Sequence, residues 1–161
     1  DYYLSYSLKG FTLSLTDYYW TSDWFNDNFF EYKSDSTSHY IEASLGYKGE
    51  KIPVSILVAT MIYGADKQFD DPAKDNFSTY IELGYGFTIS DYKLDLFLGM
   101  TPFDGMYGDG YGGKEGFSIV NTGVTGSKTI KITDNFSIPV KASVIANPQA
   151  RKMFFVFALT I

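Results

Sequence analysis

Glu42 and Glu82 hold the same place in two copies of one pattern. The first copy is Ser38-His39-Tyr40-Ile41-Glu42-Ala43-Ser44-Leu45-Gly46-Tyr47; the second is Ser78-Thr79-Tyr80-Ile81-Glu82-Leu83-Gly84-Tyr85-Gly86-Phe87. Asp95 follows in the next apolar segment. Carboxylates placed this way divide into a general acid and base, gather cations at a constriction, or brace a wall through hydrogen bonds and ion pairs. The bracing role is preferred here, with Lys48 or Lys141, or the Tyr40 and Tyr80 hydroxyls, as partners. An inward charge needs such a partner, because an uncompensated one is costly.

The other reactive residue types point less far. His39 is the only histidine and there is no cysteine, so neither a zinc site nor a thiol nucleophile has its usual donor set. No serine sits in a nucleophile-elbow context, so a Ser-His esterase lacks its signature and no enzyme is expected. His39 is placed at the loop end of its strand. Asp70-Asp71 with Asp75, and Asp104-Gly105 with Asp109-Gly110, offer oxygens of the kind calcium takes, but not at EF-hand spacing. They are read as solvated acidic loops, and no metal or cofactor is expected. Gly108 to Gly113 is no phosphate cradle, since no Gly-Lys-Ser/Thr and no helix follow. The aromatic stretch Trp24, Phe25, Phe29, Phe30 and Tyr32 suits sugar stacking in principle; packing within a loop is the preferred role.

The elements that must position these residues are strands. In the first copy Ile41, Ala43, Leu45 and Tyr47 alternate with Tyr40, Glu42, Ser44 and Gly46; in the second, Ile81, Leu83, Tyr85 and Phe87 alternate with Tyr80, Glu82, Gly84 and Gly86. Period-two alternation is the mark of a strand with two unlike faces. The same alternation recurs from Tyr2 to Leu8, Phe11 to Leu15, Val54 to Ile62, Leu94 to Met100, Val120 to Val124, Phe136 to Val144 and Phe155 to Ile161. That predicts about nine strands and no helix. Tight turns are expected at Lys9-Gly10, Gly49-Glu50, Ser90-Asp91 and Thr133-Asp134-Asn135. Long connections are expected over 21–37, 64–77 and 102–116, with only the connection after Ala146 in doubt. Short and long connections alternate, as in transmembrane barrels with short periplasmic turns and long outer loops.

Charge separates a membrane wall from a soluble sandwich. The apolar rows contain no Asp, Glu, Lys or Arg except Asp17, which is expected at a headgroup-level strand end or re-aimed by a bulge. The strand charges Lys9, Glu42, Lys48, Glu82, Asp95 and Lys141 take the other face. That face is otherwise mostly Ser, Thr, Gly and Asn, which fits a narrow closed interior better than a solvated sandwich surface. Val54 to Ile62 and the last strand are apolar on both faces, so there the interior is expected to be filled by protein. The chain has 14 Tyr, 14 Phe and 2 Trp, more aromatic surface than a soluble core of this size needs. Tyr2, Tyr6, Tyr19, Trp20, Tyr47, Tyr85, Phe87 and Phe155 lie near row ends and read as interfacial girdles. A formal net charge of -6 argues against nucleic acid, whose phosphates need a basic surface. The mean hydropathy of -0.11 and the lack of a long apolar run exclude a transmembrane helix but suit a barrel, in which alternate residues face lipid.

Thr16-Asp17-Tyr18-Tyr19-Trp20, Ser78-Thr79-Tyr80-Ile81-Glu82 and the closing Phe155-Val156-Phe157-Ala158-Leu159 resemble outer-membrane β-barrels, and more narrowly the TorF-like porin family. The closing row is also similar to the C-terminal signal read by barrel-assembly machinery, although the terminal residue is Ile161. The resemblance implies a channel, and further strands upstream of Asp1, where an export signal is also expected. The reading is a single all-β domain over residues 1–161: an antiparallel up-and-down transmembrane β-barrel in a Gram-negative outer membrane, passing small solutes. The alternative is an accessory barrel that binds other outer-membrane proteins by its wall or loops. Lumen-facing candidates are Tyr40, Glu42, Lys48, Tyr80, Glu82, Asp95 and Lys141. Lipid-facing candidates are Ile41, Leu45, Ile56, Val58, Leu83, Leu96, Leu98, Val140, Phe157 and Leu159. Nine strands would leave the first and last parallel, so an odd number more, three by the resemblance, is expected in a barrel of about twelve.

Overall fold

The computed structural model describes residues 1–20, 28–108 and 116–160. Among them nine strands form one sheet, each hydrogen-bonded antiparallel to its sequence neighbours. They are β1 (Tyr2–Leu8), β2 (Phe11–Tyr19), β3 (His39–Lys48), β4 (Val54–Gly64), β5 (Thr79–Ile89), β6 (Tyr92–Thr101), β7 (Ser118–Thr133), β8 (Phe136–Asn147) and β9 (Lys152–Leu159). The expected strand number and alternation are observed. β1 pairs only with β2 and β9 only with β8, so these nine strands form an open sheet with two free edges.

Turn chemistry fixes the register at one end. Lys9 and Gly10 both have positive φ, 49° and 82°, the two-residue turn whose twist matches the flanking strands. A side chain at Gly10 would meet the Lys48 carbonyl oxygen at 2.7 Å, so glycine is required both for conformation and for space. The short connections 9–10, 49–53, 90–91 and 134–135 lie at one end. The described parts of loop 1 (20–38) and of loop 3 (102–117), with loop 2 (65–78) and the brief turn 148–151, lie at the other. The connection left in doubt is therefore short.

The register carries each residue type across the sheet on one face. One row runs Phe11, Tyr47, Ile56, Leu83, Leu98 and Thr122. A row on the opposite face runs Ser7, Thr12, Gly46, Leu57, Glu82, Gly99 and Asn121. The apolar face is open: Leu45, Ile56, Val58, Leu83, Leu96, Phe157 and Leu159 are all exposed, Phe157 to 69%. Ile41, Leu98 and Val140 share that face and are half-buried. A soluble sheet buries such a face, because each large side chain left in water forgoes about 1.5–3 kcal/mol. Two bulges interrupt the ladder near the loop end, at Ile41/Glu42 and at Gly99/Met100. At the second, Ile119 pairs with Met100 and is exposed while Val120 is buried, so the apolar row passes through Ile119 there.

Val120, expected in the apolar row, is thus displaced from it by the bulge, and two further expectations need correction. β7 continues to Thr133, and the row through Val124 and Gly126 therefore reaches Lys128, a cation on the apolar face that a row ending at Val124 omits. Lys128 lies at the turn end, bonded to Asp91 at 2.7 Å and set 4.4 Å over the Tyr92 ring. The second concerns the strands that are apolar on both faces. In β4, Ala59 and Met61 are 3% and 2% exposed on the polar face, so that side is filled by protein. In β9, Phe154 and Val156 are each 48% exposed; the free edge leaves them without a neighbouring strand.

Candidate functional site

The polar face gathers the repeat glutamates into a tyrosine network at the loop end. Glu42 lies on β3 beside the first bulge, and its Oε2 accepts from the Tyr107 hydroxyl of loop 3. Tyr18 of β2 donates to its Oε1 at 3.4 Å. Glu82, on β5, accepts from Tyr80 on the same strand at 2.5 Å, and Asn121 of β7 donates to the Tyr80 oxygen at 3.0 Å. The rings of Tyr80 and Tyr107 are 5.7 Å apart, joining the two halves. Asn121 reaches Tyr80 because Gly99, between them, has no side chain: a Cβ there would sit 2.1 Å from the Tyr80 oxygen. Tyr107 crosses from the β6–β7 connection to β3, so the 102–108 part of loop 3 folds back over the polar face. Burial and then the bond to Glu42 push the Tyr107 phenol above its ordinary range, which keeps it a donor.

Loops 2 and 3 are tied together above this network. Asp66 is buried and accepts from both the Ser78 amide and the Ser78 hydroxyl at 2.7 Å. The Ser78 oxygen in turn accepts from the Met106 amide at 3.0 Å, and Asn76 donates to the Asp104 carbonyl at 3.2 Å. The repeat copy thus begins with a side chain that anchors loop 3.

The other expected site residues stand as follows. Tyr40 is 8% exposed and packs against Trp20 at 4.8 Å, which itself stacks with Tyr18 at 5.3 Å. Asp95 pairs with Lys93 at 2.9 Å. Among the described residues neither Lys48 nor Lys141 forms an ion pair with a glutamate; of the two alternatives the phenols hold, with the expected Tyr80 on Glu82 but Tyr107 and Tyr18, not Tyr40, on Glu42. A recess of about 420 Å³ below the network, toward the short turns, is lined by Lys48, Glu82, Lys93, Asp95 and the small residues around them. Among the acidic loop residues, Asp71 holds Lys74 at 2.9 Å and Asp75 holds Lys67. Asp109, Gly110 to Gly113, Trp24 and Phe25 lie outside the described residues.

His39 and Asp17 form a second cluster, on the apolar face. The His39 ring is fully buried; Nδ1 lies 2.7 Å from Asp17 Oδ1 and Nε2 lies 2.7 Å from the Phe29 carbonyl oxygen. Tyr32 of loop 1 donates to Asp17 Oδ2 at 2.8 Å and stacks on the imidazole at 4.0 Å. The ladder is regular through Asp17, so its place is explained by this pairing and not by a bulge. The bond to Asp17 raises the Tyr32 phenol above its ordinary pKa. Both ring nitrogens are occupied, which leaves His39 no free nitrogen to serve a nucleophile.

Of the partners offered by the sequence, lysine or tyrosine, only Tyr80 is found on a glutamate, bonded to Glu82; Tyr18, Tyr107 and Asn121 were missed. Asn121 was visible as a polar position of the alternation; Tyr107 lies in an irregular loop where no period marks it. Comparison of the chain with protein-family models, curated proteins and solved structures gave no match.

Proposed function

We propose that this sheet is the greater part of an outer-membrane β-barrel wall that passes small solutes, as the resemblance to porins implies. The observation that carries the reading is the contrast between faces. The apolar face is open from β1 to β9, and among the described residues it carries charge only near its two ends: Asp17, shielded by His39 and Tyr32, and Lys128, paired with Asp91. A cation on a lipid-facing wall costs about 2–4 kcal/mol at the midplane and about 0–1 near the interfaces. Charges confined to the two rims fit that gradient, and water would impose no such order. The polar face, with Glu42, Glu82, Asp95 and Lys93, becomes the lumen. Tyr18, Tyr80 and Tyr107 narrow it at the loop end, which favours small solutes.

Closure follows from strand direction. In an alternating sheet β1 and β9 run parallel, and a lipid-exposed edge would leave backbone groups unpaired at several kcal/mol each. An odd number of further strands, antiparallel to both edges, closes the wall with an even count. The accessory-barrel reading is favoured by the Tyr107–Glu42 contact, which sets loop 3 across the lumen.

Conductance in planar bilayers tests the proposal. Ohmic current that shifts toward anion selectivity in the Glu42→Gln, Glu82→Gln double variant supports a pore lined by these carboxylates. Current with an unchanged reversal potential makes them braces. A silent membrane containing correctly folded protein rejects the pore in favour of the accessory barrel.

A further inference from the structure

We propose that the 28–38 segment of loop 1 is latched to the β2–β3 wall by a doubly protonated His39, and that loss of one ring proton releases it. The argument is one of donor and acceptor inventory. A neutral imidazole has one N–H and one lone pair, whereas the imidazolium has two N–H donors. Here both nitrogens face oxygens with no proton to give. The Asp17 carboxylate stands at Nδ1 and the Phe29 carbonyl at Nε2, each at 2.7 Å. Asp17 is itself committed as an acceptor on its second oxygen, where Tyr32 donates. With Asp17 as its carboxylate, only a ring with both protons satisfies every atom. The Tyr32 face, 4.0 Å away and 20° from parallel, adds the aromatic contact that a cation prefers.

The ring is the joint between wall and loop. Asp17 and His39 belong to β2 and β3; Phe29 and Tyr32 belong to loop 1. The groups packed around it are Tyr19 of β2, whose ring lies 4.8 Å away, Tyr2 of β1 against Phe29 at 6.0 Å, and Tyr63 of β4, which donates to the Tyr32 carbonyl at 2.7 Å. Asp1 accepts from the Tyr19 amide at 3.1 Å. Asp17 is the one charged group bonded to the ring among the described residues. When the ring becomes neutral the carboxylate keeps the Nδ1 proton, and Nε2 then turns a lone pair toward the Phe29 oxygen. That contact becomes repulsive, and it is the one holding the loop. The latched state therefore binds one more proton than the released state, so rising pH favours release. The inference holds whether or not the wall meets lipid.

His39 is the only histidine, so ¹⁵N-histidine labelling of the protein in detergent micelles gives one imidazole to follow. Ring protonation is read from its two nitrogen shifts across a pH series, while trypsin cleavage after the exposed Lys33 of loop 1 is timed in the same samples. Cleavage should rise roughly tenfold or more as the second ring proton is lost, the loss of one charge-assisted hydrogen bond. Asp17→Asn, whose amide can donate to a neutral Nδ1 and accept from Tyr32 while Nε2–H keeps the Phe29 carbonyl, should leave the loop latched as the second ring proton is lost. In the unsubstituted protein, a neutral ring with Lys33 still protected overturns the proposal. So does cleavage that rises while the ring keeps both protons, or a release pH that Asp17→Asn leaves unchanged.

Discussion

Replacing Leu96 with arginine separates a membrane wall from an exposed soluble sheet. Leu96 is the fifth of ten residues in β6, opposite Tyr85 and Val124, and 44% exposed on the apolar face. At the midplane of a bilayer the new cation costs about 2–4 kcal/mol, a folding constant lower by roughly 30- to 700-fold. On a sheet facing water the same change falls within about 0.5 kcal/mol. Val140 supplies the control. It shares the face but stands opposite Lys128 at the turn end, where an arginine costs only about 0–1 kcal/mol. Folding into lipid vesicles, followed by urea titration and by the heat-dependent mobility of folded barrels, gives both constants under one condition. The expected order is a large loss for Leu96→Arg and a small one for Val140→Arg. Equal losses, or two losses below about 0.5 kcal/mol, would refute a lipid-facing assignment for this row.

Gly99→Ala should cost about 1–3 kcal/mol and displace Tyr80 from Glu82 and Asn121, because the new methyl would lie 2.1 Å from the Tyr80 oxygen. Gly126→Ala, whose nearest atom would be at 3.5 Å, should be nearly neutral in the same denaturation assay. Tyr107→Phe should leave Glu42 with the 3.4 Å contact to Tyr18, loosen loop 3, and raise conductance or proteolysis of that loop. The raised Tyr107 pKa means that the native state favours the protonated phenol. Its contribution is complete below about pH 10, the unfolded value, and declines as pH rises further. Alkaline destabilisation should therefore be weaker in the Phe variant.

What the sequence disclosed divides along a physical line. Strands were legible because their information is periodic. Ile41, Leu45, Ile81 and Leu83 alternate with polar residues over spans long enough to fix face and register, and Gly10 marks its turn unaided. Of the tyrosine network only the Tyr80 partner was legible, being two positions from Glu82 on one strand; Tyr107 joins Glu42 from 65 positions away, and no local pattern carries such a contact. Lys128 was missed for a related reason: glycine at 126 blurs the row just before the cation. His39 was placed correctly at a strand end, but its meaning lies in Asp17, two rungs away on the neighbouring strand. The two signals that read separately as an anomaly and a lone histidine compensate each other once the strands are paired.

The open edges give the barrel reading its most direct test. Adjacent strands alternate through all eight pairings, so β1 and β9 point the same way. Joining them directly would make one parallel pair in an otherwise antiparallel wall. A second copy inserted in the same orientation meets the same difficulty, since its β1 would again lie parallel to β9. An antiparallel closure needs an odd number of strands between these edges, from another segment or another chain. Cysteines placed at Leu4 on β1 and Phe157 on β9, with none native to compete, report which closure occurs. On the proposed closure they stay apart in the folded wall and do not form a disulfide under mild oxidation, while a Leu4–Leu15 cysteine pair, opposite each other in the β1–β2 ladder, crosslinks as a positive control. Efficient crosslinking between β1 and β9 within one chain would mean that the sheet closes on itself, and that the parity argument fails.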